Sequence, residues 1–361
     1  MKHEAGLIDE LKNIPIFSLN KREKKAIFIR LMDQLVRKHY SNCSEYKRIL
    51  DILEYDFSIS HDIESMPFIP ARLFKLHLLS SINDSDIVKT LVSSGTSGQT
   101  PSTIVLDREN SLNQIRVLAK IISSITGKKR IPMLVIDSPS VLKDRDMFSA
   151  RGAGILGFSM LATKVEYALN TNMELNIDAL TEFSEKYQGE PTLIFGFTYM
   201  IWEYFYKAMS DSNKSINLEK AIMVHGGGWK KLIEQSVDNS SFKNEIKKVS
   251  GINSIYNYYG MVEQSGSIFI ECDKGYLHTS IYSDVIMRRS DFTVCNTNEN
   301  GIIQVISLLP TSYPGHSILT EDSGVIIGED DCSCGRSGKY FFVTGRIKSA
   351  EVRGCSDTFK R

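Results

Sequence analysis

The sequence has no excess of charge of either sign and no long apolar run. Its 361 residues include 43 lysines and arginines against 43 aspartates and glutamates, so the formal net charge is zero. This balance gives no support to a nucleic acid or an acidic membrane surface as a partner. No run approaches the ~18 apolar residues of a membrane-spanning helix. We therefore expect no nucleic-acid partner and no membrane span.

The chain also lacks an export signal, and its cysteines are few. Lys2, Glu4, Asp9, Glu10 and Lys12 interrupt any apolar signal-peptide core. Six cysteines in 361 residues without such a signal are typical of a reducing compartment. We expect a cytoplasmic protein whose cysteines bind metal or react as thiols.

What the sequence does have is one dense cluster of hydroxyls and glycines. Residues 93–101 read Ser-Ser-Gly-Thr-Ser-Gly-Gln-Thr-Pro, with five hydroxyls and two glycines. Backbone N–H groups and hydroxyls that no bulky side chain shields form a cradle for an anion, and a polyphosphate is the natural ligand. The alternative is a solvated Ser/Gly loop, and composition alone leaves both open.

Hydrophobic periodicity predicts an α/β fold with a helical start and a β-rich end. Helical spacing predicts helices over 21–40 and 44–55, and strands and helices alternate after the hydroxyl-rich loop. Such alternation predicts a mainly parallel sheet covered by helices. The predicted strands of this middle part are 132–137, 191–197, 221–224 and 255–259, and the predicted helices are 109–126, 177–187, 199–209 and 230–237. Short β patterns then follow at 267–271, 276–281, 302–307, 317–319, 325–327 and 340–343.

Two strand ends carry residues suited to a flat ring and a cation. Gly226, Gly227 and Gly228 follow a predicted strand, and bare glycine backbone lets a ring approach closely. Tyr259 ends the next predicted strand, and Glu263 offers a carboxylate to a divalent cation. The alternatives are a tight strand-to-helix turn for the glycines and a core position for the tyrosine.

Three further stretches lie nearer the C-terminus. Asp322 follows a predicted strand in a Thr-x-Asp turn, where its carboxylate could grip ribose hydroxyls, although the stretch alone is an ordinary turn. Arg346 and Lys348 lie in a Gly-Arg-Ile-Lys segment, and Cys355 follows Arg353 and a glycine. A neighbouring cation favours the thiolate. The alternative for Cys355 is an exposed thiol on a frayed terminus.

Four other residues form a candidate zinc site. Cys272 and His278 flank a Lys-Gly turn, and Cys332 and Cys334 lie in another turn. Three thiolates and an imidazole complete a tetrahedral set, which leaves no open position and so indicates a structural role. The Cys-x-Cys spacing is tighter than the usual Cys-x₂-Cys. The alternative is two unrelated pairs of buried side chains.

The order of these motifs resembles that of the core motifs in the adenylate-forming superfamily. More narrowly, the chain is similar to the LuxE-type acyl-protein synthetases, within the phenylacetate–CoA ligase-like branch. The likeness covers nearly the whole chain and includes residues 67–75, 150–154, 195–197, 225–230, 312–316 and 353–357. It implies a helical segment over 1–66, an adenylate-forming core over 67–345 that becomes β-rich from about 265, and a short tail over 346–361. The tail stands in place of the usual small C-terminal lid domain.

The resemblance also implies a reaction. A carboxylic acid, of the fatty or another acyl type, is activated by ATP and Mg²⁺ as an acyl-adenylate. Glycines 226–228 and Tyr259 then enclose adenine, Glu263 helps to hold Mg²⁺, and Asp322 with Arg346 binds ribose. The triphosphate is cradled by Ser93, Ser94, Gly95, Thr96, Ser97 and Gly98.

Three departures from the superfamily pattern affect this assignment. Gln99 stands where many loops continue toward a lysine, and Val262 stands where a threonine is usual. The missing lid domain would normally supply a catalytic lysine. Lys348, Lys230 and Arg151 are the candidates to replace it, and the sequence does not choose among them.

The resemblance makes Cys355 the expected acyl acceptor, because LuxE-type enzymes carry the acyl group on a cysteine near the C-terminus. A partner reductase or acyltransferase would then receive the acyl group. One alternative keeps the adenylation but uses coenzyme A or a carrier-protein thiol as the acceptor. Another, from a different class, is a non-catalytic subunit that binds nucleotide or acyl-adenylate.

Overall fold

The structure is a computed structural model, and it describes residues 6–93, 100–127, 130–142, 150–212, 216–229 and 235–347. Backbone contacts divide the chain into two compact units, and each is described below by itself. The first unit comprises Met1–Leu91, Thr100–Val117 and Met261–Glu351. The second unit comprises Val92–Gln99, Leu118–Gly260 and Val352–Arg361.

Helices and strands occur along the whole described chain. The helices are α1 (Lys21–Asn42), α2 (Ser44–Ile52), α3 (Leu73–Leu76), α4 (Arg108–Thr126), α5 (Ala150–Ser159), α6 (Ile177–Lys186), α7 (Thr198–Met200), α8 (Lys207–Asp211) and α9 (Asn239–Ser250), with a π-helical stretch Ile201–Tyr206 between α7 and α8. The strands are β1 (Ile69–Pro70), β2 (Lys89–Val92), β3 (Thr103–Leu106), β4 (Ile131–Val135), β5 (Ala162–Tyr167), β6 (Thr192–Phe197), β7 (Ala221–Gly226), β8 (Ser254–Tyr259), β9 (Phe269–Glu271), β10 (Leu277–His278), β11 (Ser283–Arg288), β12 (Asn300–Ser307), β13 (Ser317–Glu329) and β14 (Lys339–Arg346).

The first unit begins with the predicted helical region. Helix α1 starts at a capping box in which the Asn20 side chain accepts from the Glu23 N–H and the Glu23 carboxylate accepts from the Asn20 N–H. Its buried face includes Phe28, Leu31 and Leu35, which recur at helical spacing. Both predicted N-terminal helices are therefore confirmed, with α2 ending three residues earlier than predicted.

A mostly antiparallel sheet forms a large part of the first unit. Its strand order is β11-β12-β13-β14-β10-β9, and β1 pairs in parallel with β13. Strand β10 pairs with both β9 and β14, so His278 faces Ile270 on one side and Tyr340 on the other. This pairing brings the end of β9 close to the turn between β13 and β14. The predicted β-rich region is confirmed.

The second unit contains a parallel sheet in the order β8-β7-β6-β4-β5. Leu193, Ile194 and Phe195 of its central strand β6 are all fully buried. Continuous apolar runs of this kind occur where both faces of a sheet are covered. Helices α6 and α9 and the α7–α8 segment contribute to one apolar cluster with these strands. The predicted parallel sheet with helical cover is confirmed.

Two local predictions need correction. Residues 317–329 form the single strand β13, where we predicted two strands separated by a turn at Asp322. A register shift between Ser323 and Gly324 keeps the pairing intact, and a Cβ on Gly324 would lie only 2.5 Å from the Phe342 carbonyl oxygen. The predicted helix over 230–237 lies mostly outside the described residues; at its described end Gln235 is in a 3₁₀ turn, and the helix does not extend to residues 236 and 237. Helix α9 begins later, capped by Asp238, which accepts from the Ser241 N–H.

The predicted α/β class is confirmed by these sheets and helices. In the part of the chain that the structure describes, no further helix or strand follows β14, which ends at Arg346. Among the described residues, no helix is both long and apolar enough to cross a membrane.

Candidate functional site

In the first unit, the two residues predicted to bind ribose lie together. Asp322 on β13 and Arg346 on β14 face each other in the antiparallel register, and Arg346 Nε lies 3.5 Å from Asp322 Oδ1. Arg346 Nη2 also donates to Glu321 Oε2 at 2.7 Å. The Ile347 N–H donates to the Glu321 carbonyl. Glu321 therefore fixes both the guanidinium and the start of the C-terminal tail, a role that sequence reasoning missed.

Glu263 lies in a short 3₁₀ turn, Val262–Gln264, and its side chain is only 1% exposed. Its Oε1 has no hydrogen-bond partner among the described residues. Burying a carboxylate oxygen without a partner is costly, and a divalent cation is one ligand that removes this cost. Glu263 therefore fits the predicted role in holding Mg²⁺.

The three glycines of the second unit differ in what surrounds them. Strand β7 ends at Gly226, where a Cβ would lie 2.7 Å from the Tyr258 carbonyl oxygen. A Cβ on Gly227 would lie 2.6 Å from Cδ1 of Phe197. At Gly228 no atom of the described residues lies within 4 Å of the Cβ position. Gly227 and Gly228 have φ values of 83° and 65°, which glycine adopts without strain.

A buried hydrogen-bond chain fixes this glycine turn. His225 Nδ1 lies 3.0 Å from Thr198 Oγ1, and Thr198 Oγ1 donates to the Gly226 carbonyl at 3.1 Å. Burial lowers the pKa of His225 to about 3, with a smaller contribution from Lys243, so the imidazole is neutral at physiological pH. Thr198 was missed by sequence reasoning because nothing in its spacing links it to residue 226.

Tyr259, the other residue predicted to enclose adenine, ends β8 and is partly buried.

Arg151, one of the three candidates for a catalytic cation, is held in an ion pair. Its Nε lies 2.9 Å from Asp137 Oδ2, with the two side chains 8% and 1% exposed. A buried guanidinium paired in this way is costly to remove from its carboxylate and is poorly placed to reach a substrate. The other two candidates, Lys230 and Lys348, lie outside the described residues.

The four predicted zinc ligands come together in the first unit. The ligand atoms of Cys272, His278, Cys332 and Cys334 all lie within 4.8 Å of one another. Cys334 Sγ lies 3.4 Å from His278 Nε2, and tetrahedral zinc would separate a sulfur and a nitrogen ligand by about 3.6 Å. The Lys274 N–H points at Cys272 Sγ, and the Arg336 N–H points at Cys334 Sγ. The donor set and its geometry therefore fit a tetrahedral zinc ion.

The candidate zinc site also contacts the segment that precedes α1. Phe17 packs edge-on against the His278 ring, with 6.3 Å between ring centroids. The Arg336 guanidinium lies 4.4 Å above the Phe17 ring, and the Ser337 N–H donates to the Phe17 carbonyl. Burial, followed by the charges of Arg336 and Lys24, lowers the pKa of His278 to about 4, so its imidazole is neutral at physiological pH. The cluster thus ties the N-terminal segment to the β-rich sheet.

The sequence model of the family described as "Acyl-protein synthetase, LuxE" matches residues 7–361. The chain belongs to this family. It is 22% identical over 352 residues to a long-chain-fatty-acid–luciferin-component ligase of Vibrio harveyi, covering 93% of this chain and 88% of that protein. It is also similar to the ligase of the same name from Photorhabdus luminescens. That match is 32% identical over 76 residues and covers 21% of this chain and 65% of that protein.

Among solved structures, the chain is similar to an open conformation of 2-hydroxyisobutyryl-CoA ligase in complex with 2-HIB-AMP and CoA. The TM-score is 0.71 at 14% identity, with 92% of this chain and 77% of that chain covered. At this identity the likeness shows the adenylate-forming fold alone. Together with the family match, it confirms the predicted recognition and the predicted enzyme class, an acyl-protein ligase that forms an acyl-adenylate and transfers the acyl group.

For this acyl-protein synthetase, several predicted site residues remain predictions. Ser93 follows β2 and is partly buried. The rest of the phosphate loop and the predicted acceptor lie outside the described residues, namely Ser94, Gly95, Thr96, Ser97, Gly98 and Cys355. Within the first unit, Asp322 and Arg346 are brought together, and so are Cys272, His278, Cys332 and Cys334.

Proposed function

We propose that this enzyme activates a long-chain fatty acid with ATP and Mg²⁺ and then passes the acyl group to its own Cys355. A fatty acid as substrate is supported by the names of the two relatives, which are ligases of long-chain fatty acids. Those names also include a luciferin component, which supports delivery of the acyl group to a partner protein. The partner would be a reductase or an acyltransferase.

The proposed reaction has two chemical steps. A carboxylate oxygen of the acid attacks the α-phosphorus of ATP, and the bond to the bridging oxygen breaks to release pyrophosphate. The Cys355 thiolate then attacks the acyl carbonyl carbon, and the bond to the AMP oxygen breaks with the electron pair leaving on AMP. Both steps concentrate negative charge on oxygen, so positioned cations and N–H groups lower the barriers.

The observation that carries the proposal is the pairing of Asp322 with Arg346 at the root of the tail. Asp322 would accept hydrogen bonds from the ribose hydroxyls, and Arg346 would keep its carboxylate oriented. Nine residues separate Arg346 from Cys355, a reach of at most ~30 Å when extended. Cys355 is therefore tethered within reach of an adenylate whose ribose lies at Asp322.

Other residues of the proposed site act on different parts of the nucleotide. The hydroxyls of Ser93, Ser94, Thr96 and Ser97, with the backbone of Gly95 and Gly98, would hold the phosphates. Gly228 has free space at its Cβ position, so the glycine turn and Tyr259 would bind adenine. Glu263 would hold Mg²⁺, which offsets the phosphate charge.

We assign to Lys348 the role of the catalytic cation. Arg151 is already paired with the buried carboxylate of Asp137, whereas Lys348 lies two residues beyond Arg346. Its ammonium would follow Arg346 and stabilise charge at the α-phosphate.

A structural zinc at Cys272, His278, Cys332 and Cys334 completes the proposal. When bound there, zinc would crosslink β9, β10 and the β13–β14 turn, and it would leave no coordination position for a substrate. Its contribution is to folding rather than to chemistry.

The proposal is tested with two assays on the same preparation. ATP–pyrophosphate exchange is measured with a series of fatty acids of different length, and acid-dependent exchange is expected. No exchange with any acid would favour a non-catalytic binding subunit. Labelled acid and ATP are then given to the wild type, to Cys355→Ser and to Cys295→Ser, a control at a partly exposed thiol.

We expect the wild type and Cys295→Ser to retain label that hydroxylamine removes. Cys355→Ser should retain none, because a serine hydroxyl without a base is a poor nucleophile at neutral pH. Exchange should continue in all three proteins. Full labelling of Cys355→Ser would contradict Cys355 as acceptor, and transfer to added coenzyme A in the absence of protein labelling would support the alternative acceptor.

A further inference from the structure

We propose that Tyr313 is a positioning residue for Glu263, and that it sets the Mg²⁺ concentration at which the enzyme works. The inference rests on the Mg²⁺ role proposed above for Glu263. It concerns a residue that does not touch the nucleotide and that acts through the backbone of the turn Val262–Gln264.

The contact between the two residues is direct. The Tyr313 hydroxyl donates a hydrogen bond of 2.9 Å to the Glu263 carbonyl oxygen. Tyr313 is fully buried, and its ring packs edge-on against Phe74, with 6.0 Å between centroids. A carbonyl oxygen can only accept, so the Tyr313 hydroxyl is the donor in this hydrogen bond.

A second hydrogen-bonding arm runs from the turn back to the loop that carries Tyr313. Gln264 Nε2 donates to the Gly315 carbonyl at 2.8 Å and to the Val305 carbonyl at 3.1 Å. A Cβ on Gly315 would lie 2.8 Å from the Glu263 carbonyl oxygen, so the two segments approach as closely as glycine allows. Tyr313 and Gln264 thus clamp the turn through hydrogen bonds at two successive residues, Glu263 and Gln264.

The clamp matters because one oxygen of the Glu263 carboxylate, Oε1, makes no hydrogen bond within the described residues. The backbone beneath the side chain therefore helps to set the position of this oxygen. Mg²⁺ demands near-ideal octahedral geometry, and its binding is sensitive to small displacements of a ligand. Residues that orient metal ligands from behind typically change metal affinity by 10–100-fold when they are removed.

The test compares two buried tyrosines that each donate to a backbone carbonyl. Tyr313→Phe removes the hydrogen bond to Glu263, and Tyr282→Phe removes a similar one of 3.0 Å to the Leu11 carbonyl. ATP–pyrophosphate exchange is measured over a range of Mg²⁺ concentrations, beside thermal unfolding. We expect Tyr313→Phe to raise the Mg²⁺ concentration for half-maximal exchange by about tenfold and Tyr282→Phe to leave it unchanged. An equal shift in both variants, or no shift in Tyr313→Phe, would overturn the inference.

The variant Glu263→Gln distinguishes a failure of this inference from a failure of the proposal that Glu263 holds Mg²⁺. If Glu263→Gln keeps the wild-type Mg²⁺ requirement, the assignment of Mg²⁺ to Glu263 fails, and the inference fails with it. If Glu263→Gln raises the requirement but Tyr313→Phe does not, only the inference fails. If Tyr313→Phe does not fold, Gln264→Met removes the other arm and should raise the requirement in the same way. A wild-type requirement in Gln264→Met would then refute the clamp.

Discussion

Replacing one residue of the candidate zinc site should weaken the packing of the N-terminal segment against the β-rich sheet. Cys332→Ser removes a thiolate from the set Cys272, His278, Cys332 and Cys334, whose ligand atoms lie within 4.8 Å of one another. The Cys332–Ser337 turn would then lose its hold on His278, and Phe17 packs against that same imidazole. We expect a folded protein of lower stability that contains less than one zinc per chain.

The size of the effect follows from linkage. A metal present at ~1,000 times its Kd stabilises the folded state by about 4 kcal/mol. With roughly 1.3 °C per kcal/mol for a chain of 361 residues, the melting temperature should fall by about 5 °C. Cys43→Ser is the matched control, since Cys43 is also a buried thiol in the first unit, and its loss should cost about 1 kcal/mol.

Zinc content and thermal unfolding are measured on wild type and both variants, with and without a chelator. The chelator should lower the melting temperature of the wild type and of Cys43→Ser, but not that of Cys332→Ser. A wild-type protein that is folded and free of metal would refute the zinc assignment. Equal melting temperatures for Cys332→Ser and Cys43→Ser would also contradict it.

Three further predictions address the nucleotide site and the acid response. Thr96→Val should weaken ATP use by roughly 1.5–3 kcal/mol, the value of a hydrogen bond to a charged phosphate, and a wild-type KM for ATP would remove Thr96 from the phosphate loop. Lys348→Met should lower the exchange rate by about 10²-fold without loss of stability. Arg151→Met should destabilise the protein by about 3–5 kcal/mol, because it removes the cation from the buried ion pair with Asp137. A destabilised Lys348→Met with normal exchange, and a stable Arg151→Met with slow exchange, would exchange the two roles. The pKa of His225 is lowered to about 3 while an unfolded histidine titrates near 6.5, so the unfolded state binds more protons between these values and stability falls as pH drops through that window. His225→Asn should reduce this slope in urea unfolding at several pH values, and an unchanged slope would argue against a neutral buried imidazole.

The sequence predicts an element of this fold best where a local residue pattern alone determines its secondary structure. Apolar runs such as 192–197 give buried strands because both faces of the sheet are covered. The continuous strand through Asp322 could not be read in this way, because polar residues and a glycine interrupt the apolar pattern. A register shift and pairing with β14 keep that stretch extended, and both depend on a strand that comes later in the chain.

The candidate site likewise has residues that a local pattern predicts and residues that only the tertiary structure reveals. The four residues of the candidate zinc site could be predicted because each pair lies in or beside one short turn, and β10 brings the two pairs together. Glu321 and Tyr313 were missed, since each acts across the fold on a residue far along the chain. Their side chains are common types without a spacing signal, so only the tertiary structure reveals these contacts.

The most direct test of the central claim is to locate the acyl group on the polypeptide. Trypsin cleavage after Arg353 and Lys360 releases a peptide in which Cys355 is the one cysteine. After incubation with fatty acid, ATP and Mg²⁺, mass spectrometry should show this peptide heavier by one acyl group, and hydroxylamine should restore its original mass. An unmodified 354–360 peptide, with the acyl group on another peptide or on added coenzyme A, would contradict transfer to Cys355.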